Sequence, residues 1–277
     1  MSIYLLHEEC PMFGYPKNRK KDQNYMLYTM ESTSNTIHHY NNKLMNNLFF
    51  NSSANYRVDS SVFMPNDALT RITSNTPKED IWNKNEKTKF VFQAVHHCNA
   101  ESDRDIITKL INDLIPVTII GGCFGGNYDD DKIYKKGLEE HLFYLAFENS
   151  VCPNYVTEKF WNSLRELCIP IVLSRSVFVG MDIPSNAFIA LDDFKSVNEL
   201  NYKFNSFFNL NTSNSPSSSA IVEILFLQIN LILEHPFKEK IIKNKGIPIN
   251  KIIIVNNLIN IPLNCFCVEE DSPFLII

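Results

Sequence analysis

The sequence lacks an excess of basic residues and lacks any zinc-binding pattern. Its 277 residues contain 26 Lys and Arg against 31 Asp and Glu, which gives a formal net charge of -5. A chain without a basic face is not expected to bind nucleic acid, so an anionic ligand has to be held by a few local cations. None of the seven cysteines forms a Cys-x-x-Cys pair, which argues against a zinc site. Because seven is an odd number, at least one thiol stays free, and the pairing of the others is open.

A membrane-spanning run is missing as well. Crossing a bilayer takes about 20 consecutive apolar residues, whereas the longest apolar stretch, residues 220–237, is interrupted by Glu223, Asn230 and Glu234. We therefore predict a buried amphipathic helix over residues 220–234. The first ten residues become acidic too early for a signal peptide, so we expect this chain to hold no membrane anchor of its own.

The chain divides into two regions of different pattern. Residues 1–85 are polar and rich in Asn, with short apolar runs and no regular period, and the charged segment 77–89 predicts a boundary. We therefore place an N-terminal lobe at residues 1–85 and a C-terminal lobe at residues 86–277. The 44% of hydrophobic residues and the 12% of aromatic residues are enough for a substantial core.

In the C-terminal lobe, strand-like apolar runs alternate with segments of helical period. The predicted strands are 90–95, 116–120, 142–147, 169–173 and 187–191. The predicted helices before residue 220 are 105–115, 156–168 and 197–208. This alternation predicts an α/β fold with a parallel sheet, in which ligands bind at the carboxyl ends of the strands.

Hydrogen-bonding groups gather where the third predicted strand leads into a helix, in the stretch LAFENSVCPNYVTEKFW. The N–H groups at a helix start favour an anion, and Lys159 adds a full positive charge, so this place suits a diphosphate. Glu158 is suited to the two hydroxyls of a ribose, Tyr155 to a base or a phosphate, and Asn149 offers amide donors. The alternative is an ordinary helix start, in which Glu158 only favours the first turn.

A second cation stands at the corresponding place after the first predicted strand. Arg104 directly precedes the helix predicted at residues 105–115, and a guanidinium can grip two phosphate oxygens. Since the strands are predicted to be parallel, Arg104 and Lys159 are expected at one edge of the sheet, where the two cations fit a diphosphate. Alternatively, Arg104 is a surface residue that pairs with Asp103 or Asp105.

Two further motifs suggest a phosphate or metal site less specifically. The segment GGCFGG at residues 121–126 lacks the Lys-Ser/Thr of a P-loop and the Gly-x-Gly-x-x-Gly spacing, so we predict a flexible loop. Asp129 and Asp131 form an Asp-x-Asp pair, which can hold a divalent metal against a diphosphate. We favour a solvated charge run in a polar loop and keep the metal site at Asp129 and Asp131 as the alternative.

The stretch FYLAFENSVCPNYVTEKFW resembles the signature of the α-1,3-fucosyltransferases, glycosyltransferase family 10, which reads F-x-L-A-F-E-N-S followed by D-Y-[IV]-T-E-K. Other segments resemble further motifs of that family, in the same order along the chain. They are YTMESTSNT, FFNSSANYRVDSSVFMP, HHCNAESDRD, IIGGCFGG, IPIVLSRSVF and NAFIALDDFKSVNEL. The resemblance covers about residues 25–200.

This resemblance implies a GT-B fold of two Rossmann-like lobes, with residues 1–85 as an incomplete acceptor lobe and residues 86–277 as the lobe that binds GDP-fucose. It implies transfer of fucose to a hydroxyl of a glycan or glycoprotein with inversion at the anomeric carbon. No cofactor or metal is required, although the resemblance allows for stimulation by Mn²⁺. The donor contacts of the family map onto Arg104, Asn149, Tyr155, Glu158 and Lys159. Glu148 is assigned the stabilisation of positive charge on the fucose ring.

The general base of the family is the Glu of a Glu-Ser-Pro motif, which maps onto Glu31. Here Thr33 replaces the proline. A rival motif with the sequence HEECP offers Glu9, but its distance to the next motif is much too long, so we prefer Glu31. A further departure is Ser174, which stands where the family has Gly after V-P-V-V-L.

These features predict an inverting α-1,3-fucosyltransferase that acts on GlcNAc on the lumenal side of the Golgi membrane. The N-glycosylation patterns at Asn51 and Asn211 favour a secretory lumen. Since the chain is expected to begin inside the acceptor lobe, its membrane anchor would lie outside it. The alternatives are a truncated, non-catalytic GDP-binding relative and a metal-dependent glycosyltransferase that uses Asp129 and Asp131.

Overall fold

The computed structural model describes residues 2–7, 23–36, 50–69, 87–124 and 131–209. These residues belong to two compact units, of which the first ends at Pro65 and the second begins at Asn66. No helix among the described residues is both long and apolar enough to cross a membrane. The helix predicted at residues 220–234 lies outside this part of the chain, as do Glu9, Asp129 and Asn211.

The first unit contains a four-stranded parallel sheet, although the sequence of residues 1–85 shows no regular period. The strands, in their spatial order, are β1 (Ser2–His7), β2 (Gln23–Thr29), β3 (Ser52–Asn55) and β4 (Val62–Phe63). A short helix, α1 (Thr33–Thr36), follows β2. Strand β2 buries only Tyr25 and Thr29, so its sequence lacks the apolar alternation that identifies a strand.

The second unit contains a five-stranded parallel sheet with helices, which confirms the α/β prediction. The strands are β5 (Lys89–Ala94), β6 (Val117–Ile120), β7 (His141–Leu145), β8 (Ile169–Val172) and β9 (Ile189–Ala190), in the order β6-β5-β7-β8-β9. The helices are α2 (Arg104–Asn112), α3 (Asp131–Glu140), α4 (Glu158–Arg165) and α5 (Val197–Asn209). Every strand predicted in this lobe has a counterpart, as have the three helices predicted before residue 220.

The five residues of the central strand β7 are all buried, because helices cover the sheet on both sides. Tyr144 belongs to one hydrophobic cluster together with Phe160 of α4. Its neighbour Phe143 belongs to the other cluster together with Ile111 of α2 and Leu200 of α5. Since successive side chains of a strand point to opposite faces, β7 anchors both layers of the core and fixes where its following loop begins.

Helix α3 was not predicted, and Asp131, which the sequence analysis placed in a polar loop, is its first residue. The helix is hard to recognise because it is polar and contains Gly137, a weak helix former. A side chain at Gly137 would overlap the ring of Phe92 on β5, so glycine is required for the close packing of α3 on the sheet. Tertiary packing thus overrides the local preference of the sequence.

The strand order creates a switch point at the carboxyl edge of the sheet. The chain passes from β5 to β6 on one side and continues with β7 on the other side of β5. The loops after β5 and β7 therefore diverge, which leaves a crevice where open α/β sheets bind their ligands.

Candidate functional site

Two loops at this switch point, together with the first turns of the helices that follow them, hold the predicted donor residues. One loop, residues 95–103, joins β5 to α2, and the other, residues 146–157, joins β7 to α4. Both leave the same edge of the sheet because β5 and β7 are parallel neighbours. Ser102 joins the loops directly: its Oγ donates to the carbonyl oxygen of Glu148 at 2.7 Å, and its N–H donates to that of Asn149 at 3.1 Å.

Arg104 lies at the start of α2 with only 3% of its surface exposed. Its Nη1 donates to the carbonyl oxygen of Phe147 at 3.1 Å and its Nη2 to that of His97 at 2.7 Å. Its Nε has no hydrogen-bond partner, and no carboxylate in the described ranges forms an ion pair with it. The pairing considered for Asp105 is not observed, since Asp105 Oδ2 instead accepts from the N–H of Asn99 at 2.5 Å. A buried positive charge that no carboxylate of the described residues neutralises is costly, and a bound anion would offset that cost.

The buried carboxylate of Glu148 occupies the start of helix α4. Its Oε1 accepts from the N–H of Thr157 at 2.7 Å and from the Oγ1 of Thr157 at 2.8 Å. Its Oε2 lies 3.3 Å from the Nζ of Lys159. Burial raises the pKa of Glu148 above the ordinary carboxyl range, although Lys159 and the Thr157 N–H oppose that shift. The carboxylate thus already accepts one of the N–H groups that the sequence analysis offered to a phosphate.

Lys159 lies between two carboxylates on the first turn of α4. Its Nζ is 3.0 Å from Glu158 Oε1 as well as 3.3 Å from Glu148 Oε2. Burial alone would lower the pKa of Lys159, but the two carboxylates together raise it, so the side chain is a cation at neutral pH. Burial alone would likewise raise the pKa of Glu158, but Lys159 and the local hydrogen bonds bring it below its usual value. Glu158 keeps 61% of its side chain exposed and so remains accessible to a ligand.

Tyr155 borders a small recess at the carboxyl ends of β7 and β8. The wall of the recess is mostly apolar, with Val156, Val172 and Phe178 among its residues, and Glu148 also lines it. Tyr155 itself is only 3% exposed, so it shapes this recess more than it offers an open stacking surface. The structure therefore brings Tyr155 and Glu148 to one recess.

Asn149 follows Glu148 and lies in contact with the loop after β5. Its main-chain oxygen accepts from Ser102, while its buried side-chain Oδ1 has no partner in the part of the chain that the structure describes. The nearby Asn154 adopts a left-handed conformation with φ of 64°. Its Nδ2 donates to the carbonyl oxygens of Val177 at 3.3 Å and Val179 at 2.8 Å. Asn154 therefore secures this loop to the turn that follows β8.

Ser174, which departs from the family motif, also lines the recess. Its Oγ donates to Asp192 Oδ2 at 2.6 Å, and the N–H of Arg175 lies 3.0 Å from both oxygens of that carboxylate. The guanidinium of Arg175 in turn pairs with Asp193. The serine hydroxyl thus belongs to a network that holds the turn after β8.

Glu31 lies in the first unit, just beyond the carboxyl end of β2. Its Oε1 accepts from the N–H of Ser32 at 2.7 Å and from the Nδ2 of Asn35 at 3.1 Å. The side chain is half-buried. These two hydrogen bonds hold the carboxylate in a defined orientation on the turn before α1.

The described ranges contain no group of three or more His, Cys, Asp or Glu side chains arranged to bind a metal. Asp131 is exposed at the start of α3, whereas Asp129 is outside those ranges. Because Asp129 is outside the described ranges, the Asp-x-Asp alternative stays a prediction.

Sequence analysis missed three residues that shape the site: Ser102, Asn154 and Thr157. Each has a small polar side chain in a loop. The main-chain or carboxylate groups to which this side chain donates lie at least nine residues away in sequence, so local sequence pattern does not reveal them. The one available signal was Thr157, which stands at the N-cap position of α4. Its hydroxyl, however, contacts Glu148 and makes no cap hydrogen bond.

We expect Thr157→Val to destabilise the fold by about 1–3 kcal/mol, because the buried Glu148 loses its hydroxyl donor while the side-chain volume hardly changes. Urea unfolding at neutral pH measures the difference. Thr157→Ser, which retains the hydroxyl, is the matched control and should stay within about 1 kcal/mol of the parent. Equal stability of the Val variant and the parent would contradict the role given to this hydroxyl.

Two family profiles match the parts of the chain that contain the two sheets. The profile "Glycosyltransferase family 10 (fucosyltransferase) C-term" matches residues 84–213, and the profile "Fucosyltransferase, N-terminal" matches residues 3–67. The two matches together include β2–β9, all of β1 except Ser2, and both loops at the switch point.

Curated relatives are similar over a comparable range. The chain is 36% identical over 188 residues to 3-galactosyl-N-acetylglucosaminide 4-alpha-L-fucosyltransferase FUT3 of Bos taurus, covering 67% of this chain and 49% of that protein. It is 30% identical over 193 residues to alpha-(1,3)-fucosyltransferase fut-6 of Caenorhabditis elegans, covering 65% and 47%. It is 34% identical over 206 residues to 4-galactosyl-N-acetylglucosaminide 3-alpha-L-fucosyltransferase FUT6 of Homo sapiens, covering 72% and 55%. The chain thus spans about half the length of the curated relatives it matches.

Solved structures share the fold. A crystal structure of alpha1,3-fucosyltransferase with GDP-fucose aligns with a TM-score of 0.53 and 18% identity, covering 76% of this chain and 68% of that chain. A crystal structure of alpha1,3-fucosyltransferase aligns with a TM-score of 0.51 and 19% identity, covering 74% and 64%. At these identities the likeness concerns the fold alone.

Proposed function

Because this chain belongs to glycosyltransferase family 10, the fucosyltransferases, we propose that it transfers fucose from GDP-fucose to a hydroxyl of a glycan. The specific reaction we propose is inverting transfer in α-1,3 linkage to GlcNAc on a glycoprotein. The relatives of the chain support this specificity, since their names include alpha-(1,3)-fucosyltransferases and N-acetylglucosaminide fucosyltransferases.

The observation that supports a diphosphate donor most strongly is the burial of the Arg104 guanidinium without a carboxylate partner among the described residues. This guanidinium is buried at the switch point and makes only main-chain hydrogen bonds among the described residues. A bound diphosphate would supply the negative charge that neutralises this guanidinium. Lys159 is the second cation on this edge of the sheet, but its two carboxylates already offset its charge. Arg104 is therefore the main source of positive potential for the ligand.

The other residues of this edge take roles that match their exposure and chemistry. Glu158, the most exposed carboxylate of the cluster, accepts the two hydroxyls of the guanosine ribose. Asn149 and Tyr155 orient the diphosphate-sugar. The buried Glu148 holds Lys159 in place, and its carboxylate stabilises positive charge on the fucose ring.

Glu31 acts as the general base. It takes the proton of the acceptor hydroxyl while that oxygen forms a bond to the anomeric carbon of fucose. The bond from this carbon to the diphosphate breaks, and its electron pair leaves with GDP. Arg104 and Lys159 stabilise the negative charge that grows on the leaving group. The reaction requires no metal or cofactor in this scheme.

We place this reaction in the lumen of the Golgi apparatus. Cys98 and Cys123 form a disulfide, and disulfides persist in oxidising compartments. The N-glycosylation pattern at Asn51 lies on an exposed residue, which suits a lumenal protein.

A transfer assay tests the proposed function. The purified chain is incubated with GDP-fucose labelled in the sugar and with N-acetyllactosamine, and the labelled trisaccharide is separated and counted. We expect transfer both with and without a chelator. GDP binding without transfer would support the non-catalytic alternative. Loss of transfer in chelator, with recovery on Mn²⁺ addition, would support the metal-dependent alternative and contradict the proposed scheme.

A further inference from the structure

The loop between β5 and α2, residues 95–103, is held on both of its sides. Its strand β5 lies between β6 and β7, and each neighbour contributes contacts at the carboxyl edge. On the β7 side, Ser102 donates to the main-chain oxygens of Glu148 and Asn149. Arg104 adds a hydrogen bond from Nη1 to the main-chain oxygen of Phe147. All the attachments on this side are hydrogen bonds.

On the β6 side the loop is held by a covalent bond. Cys98 forms a disulfide with Cys123, which lies in the turn after β6, and the Cα atoms are 5.2 Å apart. The N–H of Val95 also donates to the carbonyl oxygen of Ile120 at 2.9 Å. Gly121, with φ of 109°, allows this approach, because any side chain there would overlap the carbonyl of Val95.

Asn99 and Asp103 have φ values of 56° and 55°, in the left-handed region, which Asn and Asp adopt more readily than other residues with a side chain. The attachments on both sides hold the loop in this conformation. The carbonyl oxygen of His97, the residue before Cys98, accepts from Arg104 Nη2 at 2.7 Å. The disulfide is therefore one residue away from a hydrogen bond that orients the buried guanidinium.

We propose that the Cys98–Cys123 disulfide is a positioning element of the donor site, which fixes the His97 carbonyl and through it the Arg104 guanidinium toward the diphosphate of the donor. This inference rests on the proposed function. Without the bridge, the loop can relax from its left-handed turns, and Arg104 loses one of its two main-chain acceptors. Orientation of the guanidinium then has to be achieved when the ligand binds, which weakens binding.

The test compares GDP binding by the parent and by the double variant Cys98→Ser/Cys123→Ser, measured by isothermal titration calorimetry. We expect the dissociation constant of the variant to rise about tenfold. The control is Cys168→Ala, which removes a buried thiol directly before β8, at the edge of the parallel sheet opposite to the loop. It should lower the unfolding temperature and leave the dissociation constant unchanged.

A double-variant cycle separates positioning from a general structural effect. In the Arg104→Met background there is no guanidinium to position, so removing the disulfide should change the GDP dissociation constant by less than about twofold. If removal of the disulfide weakens binding by the same factor with and without Arg104, the bridge does not act through that residue and the inference is wrong.

If the double variant does not fold, the folded parent is reduced and alkylated instead, and mass spectrometry verifies labelling at the exposed Cys98 and at Cys123. The same tenfold loss of GDP affinity is expected. Unchanged affinity after verified labelling would overturn the inference while leaving the proposed function in place. A parent protein that binds no GDP at all would instead contradict the proposed function.

Discussion

Glu31→Gln is expected to lower the rate of fucose transfer by about 10²–10⁴-fold, the contribution of a single positioned base. The amide retains an oxygen that can accept from the N–H of Ser32 and the Nδ2 of Asn35, so the turn before α1 should keep its geometry. It cannot take up the proton of the acceptor hydroxyl. GDP affinity, measured by calorimetry, should be unchanged, because the donor residues belong to the second unit.

Glu9→Gln is the matched control for this prediction, since Glu9 is the rival base two residues beyond the end of β1. It should transfer fucose at the rate of the parent. Full activity of Glu31→Gln together with loss of activity in Glu9→Gln would show that the assignment of the base is wrong.

Lys159→Met is expected to weaken GDP binding by about 10–100-fold, because the variant keeps the aliphatic volume of the side chain but leaves Glu148 and Glu158 without the cation that offsets their charge beside the proposed diphosphate site. The measurement is the dissociation constant of GDP at fixed ionic strength. The variant should also be less stable, since the buried Glu148 loses the cation 3.3 Å from its carboxylate.

Two further variants separate the loss of affinity from the loss of stability. Lys135→Met removes an exposed lysine from α3, where surface ion pairs contribute little, and should bind GDP as the parent does. Glu148→Gln combined with Lys159→Met removes the unpaired carboxylate and should recover stability without recovering affinity. If Lys159→Met binds GDP as tightly as Lys135→Met, the lysine makes no contact with the diphosphate.

The place of the candidate site could be predicted because it depends on long, apolar strands. β5 and β7 are runs of large hydrophobic residues, and the polar groups directly after them stand out in the sequence. Parallel pairing then brings the following loops to one edge, as the structure shows for Ser102 and Glu148. The positions of Arg104 and Lys159 followed from the same reasoning.

The partners of those side chains could not be predicted, because they depend on tertiary contacts. Nothing in the sequence indicates that Arg104 bonds to the carbonyl oxygens of His97 and Phe147, or that Glu148 accepts from Thr157. The Cys98–Cys123 pair was one of many possible pairings and is favoured only by the adjacency of β5 and β6. Local pattern did not identify β2, which buries only two of its seven side chains, or α3, whose glycine is dictated by packing against Phe92.

The most direct test is a crystal structure of the chain soaked with GDP. A diphosphate within hydrogen-bonding distance of both the Arg104 guanidinium and the Lys159 ammonium, at the carboxyl ends of β5 and β7, is the predicted result. Well-ordered nucleotide bound elsewhere, with Arg104 still bonded only to main-chain oxygens, would contradict the account.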